Sequence, residues 1–359
     1  MKKIFTLIIV AMALHLNAQQ FVSTTPQNRN VVIEEFTGIN CPNCPDGHVV
    51  ANNIMDAYPG RVWAVNIHAG NYAPMYYPNF NTTDGTAIYY GFNITGFPQA
   101  VVNRSTDYGL SRTDWATHTN QQIEQTAECN IGGQVIIDPE TRTATINVEI
   151  YYVSNSAAST NYLNVIMLED DIIGPQANGH TNPSQYINGQ YHHNHVFRDA
   201  VTSTWGDAIS PTTAGSLISK TYTYNIPETV GTPNGTSVNI NNVSFLVFVT
   251  EQYQGTPTRP ILNANELTSF LGTNQNIYPY ITGIIPNAVS CTNDKELNVT
   301  IANGGLQSIT SLDFEVTVDG GSAQDYSWQG NIPSYNVSTV NIPVTMTGGS
   351  HNVKVEIVK

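Results

Sequence analysis

The chain has little charge, and less of it is positive than negative. Of 359 residues, 13 are Lys or Arg against 27 Asp or Glu, and charged residues make up only 11%. Without a basic stripe there is no electrostatic footprint for nucleic acid or for an anionic membrane surface. Asn, Thr, Ser, Gly and Tyr supply most of the polarity, a balance that suits an exported β-rich protein better than a cytosolic enzyme. Long hydrophobic runs are also missing beyond the N-terminus, so no later segment reads as a membrane span. The exception, Ile4 to Leu14, is too short to cross a bilayer comfortably. It follows Lys2 and Lys3 and precedes a cleavage point at Ala18, so residues 1–18 read as a secretory signal peptide. No cysteine follows that stretch, which argues against a lipid-anchored N-terminus. There are four cysteines in all. Outside the cytosol disulfides persist, which leaves room for one catalytic pair and one structural pair.

The patterning divides the rest of the chain. Residues 19–28 are polar and read as a linker. From 29 to 128 strand and helix signals alternate, which implies a three-layer α/β domain. Val31 to Phe36 and Val62 to Ile67 are strand-like. His48 to Tyr58 and residues 82–93 are helix-like, and Gln99 to Val102 is another strand. Ser111 or Thr113 is placed to cap a helix running through Trp115 and Ile123. After Cys129 the period changes to two: Ala144, Ile146, Val148, Ile150 and Tyr152 share one face. Leu163 to Leu168 and Val243 to Val249 suit central strands. Between them Gly174 to Ser210 is loop-like, and a loop of that length is usually functional or covers something. From about 280 onward, alternating strands separated by Gly-rich turns suggest an immunoglobulin-like sandwich. The expected fold class is therefore multidomain α/β plus all-β. Its parts are an α/β domain (29–128), a β-sandwich domain (129–272) and an immunoglobulin-like domain (280–359).

Cys41-Pro42-Asn43-Cys44 lies between the first strand and the first helix. Two thiols at that spacing can exchange with a disulfide, one attacking and the other resolving the mixed disulfide. A helix N-terminus adds a partial positive charge that favours the first thiolate. Zinc also uses this spacing, but it needs two more ligands, and Cys129, Cys291, His48 and His68 fit no familiar zinc spacing.

The order strand, CxxC, helix, strand, helix, then Ile94-Thr95-Gly96-Phe97-Pro98 before the next strand resembles the thioredoxin-like superfamily over residues 29–128. The resemblance implies Cys41 as attacking and Cys44 as resolving thiol, with Pro98 a cis-proline facing the disulfide. It also implies Glu35 as a buried acid that takes the proton from Cys44; the alternative is that Glu34 or Glu35 is a solvent-facing strand residue. Three departures accompany it. The dipeptide is Pro-Asn rather than Gly-Pro, Ala64 stands where a lysine often accompanies the acid, and the aromatic stretch Gly70 to Phe80 is inserted. That insertion should overhang the site, where it either holds a substrate polypeptide or covers the end of the sheet. His68 ends the second strand, as a proton shuttle or simply as a hydrogen-bonded strand-end residue. Cys129 and Cys291 either pair or remain buried thiols.

Tyr191-His192-His193-Asn194-His195-Val196-Phe197-Arg198 is the other unusual run. On a strand His193 and His195 would share a face, and with His180 they would offer three imidazoles to a metal. No matching carboxylate spacing supports one, and Asp170-Asp171 is weak evidence for Ca²⁺. This run, after a thioredoxin-like domain in a secreted acidic chain, resembles the Omp-28-related outer-membrane proteins of Bacteroidota over roughly residues 29–270. That resemblance implies an envelope location, periplasmic or at the outer membrane or surface. Two functions are expected from the sequence. One is thiol–disulfide exchange on envelope proteins through Cys41, Cys44, Pro98 and Glu35. The other is a non-enzymatic binding or adhesion protein that uses the fold as scaffold. Neither calls for a metal or for a cofactor other than the Cys41–Cys44 disulfide, and neither partner is a nucleic acid.

Overall fold

The structure is a computed structural model that describes residues 21–252, 259–273, 275–286, 294–346 and 350–358. The expected signal peptide and Cys291 lie outside the described residues. The chain is mostly β, with several sheets and a few helices.

Strand β1 (Val31–Thr37) is buried along its full length. It pairs in parallel with β2 (Val62–His68) and antiparallel with β3 (Gln99–Val102). Alternation along these strands assigns their faces. Val31, Ile33, Val62, Ala64, Ala100 and Val102 pack beneath helices α1 (Cys44–Ala57) and α3 (Trp115–Ile123). Val32, Phe36, Val65, Ile67 and Val101 pack on the opposite side with Ile88 of helix α2 (Thr83–Gly91). Helix α1 begins at Cys44, a turn earlier than His48, because Pro45 in its first turn has no N–H to lose there. Helix α3 is preceded by Asp114, and no side chain caps it; Thr113 Oγ1 donates instead to Ser111 Oγ.

The sheet does not stop at residue 128. Its order runs Leu217–Asn225, Thr143–Tyr152, Cys129–Asp138, Ile261–Leu271, Val243–Thr250, Asn161–Glu169, Val196–Ala200, β2, β1, β3, Leu110–Ser111. The strands from 129 onward bury one joint core containing Ile146, Val165, Phe245 and Val247. The junction with β2 is made by the histidine-rich run. Asn66 N donates to His195 O at 2.7 Å, Asn66 Nδ2 donates to Asn194 O at 2.8 Å, and Val196 pairs with Asn66. Arg198 anchors that strand through a buried ion pair with Glu169 at 2.9 Å. Residues 21–28, expected as a linker, lie against the second unit: the amides of Phe21 and Val22 both donate to Glu149 Oε2.

Beyond residue 278 two three-stranded sheets enclose a third core that includes Val299, Phe314, Ile332 and Ile342. The period-two positions Leu297, Val299 and Ile301 and Leu312, Phe314 and Val316 point into it. This unit touches the second one through Tyr280, whose hydroxyl accepts from Leu271 N, and through Gln134, whose side chain donates to Tyr335 O.

Candidate functional site

On the α1 side, the sheet changes character along its length. Val31, Ile33, Val62 and Ala64 are apolar, but the next positions on the same face are Glu35, Thr37, Asn66 and His68, all buried. This polar end lies where the chain leaves β1 for Cys41 and α1. Cys41 and Cys44 form a disulfide with a Cα–Cα distance of 5.4 Å, and both are buried.

Neither glutamate of β1 faces solvent. Glu34, on the α2 side, is held in a two-pronged ion pair by buried Arg104 at 2.7 and 2.6 Å. The Arg104 guanidinium also lies over the rings of Trp205 and Phe248. Glu35 is fully buried, and neither of its carboxylate oxygens has a hydrogen-bond partner. Burial pushes its carboxyl well above the usual range, opposed by the positive charge of Arg112. Its position beside α1 is set by Gly47. A Cβ there would fall 2.5 Å from Glu35 Oε1 and 2.8 Å from the Pro98 ring, so only glycine lets helix, carboxyl and proline come this close. The Phe97–Pro98 bond is cis. Gly47 lies one helical turn after Cys44, so Glu35 and Pro98 pack against the turn of α1 that opens at Cys44.

Two functional candidates were missed by sequence reasoning. His48, read only as the start of a helix or as a zinc ligand, is buried with Nε2 at 3.1 Å from Thr37 Oγ1 and 3.7 Å from Glu35 Oε1. Its Nδ1 lies 2.6 Å from the hydroxyl of Tyr191. Burial, with smaller effects from His193 and His195, lowers its pKa to about 3, so this imidazole is neutral. Tyr191 is itself buried, and its hydroxyl contacts Asn182 and Gln185. The i+4 spacing of His48 from Cys44 was the available signal; nothing local signals Tyr191, 143 residues away from His48.

The histidine-rich run does not assemble as a metal site. His195 has φ 55°, which breaks the strand alternation and turns it away from His193. It is half-exposed and pairs with Asp170 at 3.2 Å, while His192 pairs with Asp171, so both aspartates have partners. His193 points inward against Tyr191, Phe80 and His68. His68 is buried with neither ring nitrogen hydrogen-bonded, and its pKa is driven well below normal by burial and by the neighbouring His193. Among the described residues no group of three or more His, Cys, Asp or Glu is arranged to hold a metal ion. Cys129 is a buried free thiol whose pKa burial raises.

Two segments cover the disulfide loop. Gln176 Nε2 donates to Cys41 O at 2.9 Å and to Gly38 O at 3.3 Å. Ala177 N donates to Ile39 O, and Asn178 Nδ2 to Pro42 O. This strap comes from the long region between Gly174 and Ser210. On another side the aromatic insertion meets the loop: Asn40 N donates to Tyr72 O, and Tyr76 donates to Asn40 Oδ1. It leaves Met75, Tyr76 and Tyr77 facing solvent.

Residues 85–261 match the model of the Omp28 outer membrane protein family. That match agrees with export to the outer membrane or cell surface. Among solved structures, HBP35 of Porphyromonas gingivalis is similar at a TM-score of 0.54 and 17% identity, over 93% of this chain and 99% of that one, a likeness of fold. A protein from Agrobacterium tumefaciens aligns with 67% of this chain and 95% of its own at 13% identity, with a TM-score of 0.44. No curated protein sequence matches the chain. No helix among the described residues is long and apolar enough to cross a membrane.

Proposed function

We propose that the protein carries out thiol–disulfide exchange on envelope proteins at a thioredoxin-type site. A substrate thiolate attacks Cys41 Sγ, breaking the Cys41–Cys44 bond and forming a mixed disulfide. Cys44 leaves as a thiolate and takes a proton from Glu35. The second substrate thiol then displaces Cys41, so two electrons and two protons pass from the substrate dithiol to the protein; the reverse sequence oxidises Cys41 and Cys44. The observation that carries this reading is Glu35: a fully buried carboxyl without a hydrogen-bond partner, beside the helical turn that begins at Cys44. Such a group destabilises the fold, and a proton carrier in a dry site needs that environment. A static scaffold has no physical use for it.

The burial of both sulfurs beneath the Gln176–Asn178 strap favours a second reading, in which the disulfide is a structural brace of a surface-binding protein. The two readings separate on the reduction potential and on trapping. Exchange predicts a potential above about −300 mV, the range of structural disulfides, and covalent capture of envelope proteins by Cys44→Ser but not by Cys41→Ser. A potential below that range with no captured protein establishes the brace instead.

A further inference from the structure

We infer that Tyr191, supplied by the second unit, is a positioning residue for the redox site: it fixes His48 with its proton on Nε2, where it can hydrogen-bond Glu35 once that carboxyl has lost its proton. This inference rests on the exchange reading above.

The hydrogen-bond inventory around Tyr191 sets the direction. A tyrosine hydroxyl has one proton to donate. Two acceptors are in reach, His48 Nδ1 at 2.6 Å and Gln185 Oε1 at 3.3 Å, and Gln185 Oε1 already accepts from Asn182 Nδ2 at 2.6 Å. Asn182 Nδ2 is a donor to the tyrosine oxygen at 3.2 Å. The hydroxyl proton therefore goes to His48 Nδ1, the shorter contact. A neutral imidazole that accepts at Nδ1 carries its hydrogen on Nε2. In the disulfide form that N–H is directed at Thr37 Oγ1, and Glu35 Oε1 lies 3.7 Å away, outside hydrogen-bond range. A shift of about 0.8 Å brings the carboxylate within range. The neutral carboxyl is thus left alone in one redox state, and the carboxylate has a donor waiting in the other.

The surroundings leave little else to perform this task. From β1, Glu35 and Thr37 face His48. Tyr191 and His193 face it from Gln190–His193, and His195 acts on it from the turn beyond. His68 of β2 lies against His193, Arg198 acts on His68, and among the described residues Arg112 is the cation whose field reaches Glu35. Among these groups His48 Nε2 is the donor that lies near Glu35 Oε1.

The step that reads this out is resolution of a mixed disulfide. Reduced protein reacts with oxidised glutathione: Cys41 thiolate attacks, one glutathione thiolate leaves, and Cys44 attacks Cys41 Sγ to release the second. The Cys44 proton passes to Glu35 carboxylate, giving protein disulfide, protonated Glu35 and two glutathione thiolates that take their protons from water. The resolution rate of the full chain should rise with pH along a limb set by Glu35, and Glu35→Gln should remove that limb. In Tyr191→Phe the limb should move to higher pH, with a roughly tenfold slower rate below it, a shift of about one pH unit. His48→Gln, whose amide N–H replaces Nε2–H without needing a partner at Nδ1, should keep the limb near its wild-type position. In that background Tyr191→Phe should move it no further. Nitrogen NMR of the oxidised protein should show His48 as the Nε2–H tautomer and lose that preference in Tyr191→Phe. A Tyr191→Phe rate that falls equally at every pH, or an Nδ1–H tautomer in the wild type, overturns the positioning role while leaving exchange intact. A wild-type mixed disulfide that never resolves, or a pH limb unchanged in Glu35→Gln, overturns the exchange mechanism and this role with it.

Discussion

The two faces of β1 treat adjacent carboxylates in opposite ways. On the α2 side Glu34 meets Arg104 in a fork of two hydrogen bonds, roofed by Trp205 and Phe248. On the α1 side Glu35 has no hydrogen-bond partner and lies against Gly47 and cis Pro98. Strand alternation alone separates the two environments. A buried charge that is fully paired is a fastening, and removing either half leaves the other stranded. A buried carboxyl left unpaired holds a proton that chemistry can use, and it weakens the fold by doing so. The contrast teaches that burial by itself says nothing of function; the partner decides.

The largest break in this comparison should come from Glu34→Ala. Stranding Arg104 should lower unfolding stability by about 3–5 kcal/mol in denaturant titration, and removing both partners should be milder. Next is the acid response of the polar end of the site. The folded pKa of His193 is depressed from 6.5 to about 4, first by burial, with the Pro175 carbonyl opposing. Its contribution is therefore complete above pH 6.5 and is lost as pH falls towards 4, because the unfolded chain binds the proton first. Stability should drop by about 1.4 kcal/mol per pH unit across that window, about 3 kcal/mol in all, and His193→Gln should flatten the measured slope by that amount. Gly47→Ala should cost about 1–3 kcal/mol, because its methyl would collide with Glu35 and Pro98 and the backbone must move. Smallest, and opposite in sign, is Glu35→Gln. With a folded pKa above that of the unfolded chain, Glu35 contributes stability below about pH 4.5 that is lost as pH rises. Its removal should thus stabilise the protein at neutral pH, on the order of 1 kcal/mol, with no gain at pH 4.

How much of this was legible depends on distance along the chain. Cys41 and Cys44 came to notice by their spacing between strand and helix signals, and Glu35 and Pro98 through the resemblance of that element order to the thioredoxin-like superfamily. The period-two runs around Ile146 and Val299 read directly as strands because one face is buried. The joining of two expected domains into one sheet was not legible, since a strand edge such as that of β2 has no residue signature for its partner. The long region from Gly174 was expected to cover something, but what its Gln176–Asn178 strap covers, like the partner of Tyr191, escaped for the same reason: their contacts to α1 and the disulfide loop cross about 135–143 residues. His193 and His195 were read as neighbours on one face, and the left-handed backbone at His195, a local choice open to few residue types, undid that. The Ser111 or Thr113 cap failed because those hydroxyls found each other.

The strap over the disulfide has one further property. Gln176, Ala177 and Asn178 take hold only of carbonyl oxygens, those of Gly38, Ile39, Cys41 and Pro42. Every residue type supplies that oxygen, so the cover is blind to the side chains beneath it. The Pro42-Asn43 side chains can therefore be exchanged without unlatching the cover, and the composition of the loop is free to change independently of its access.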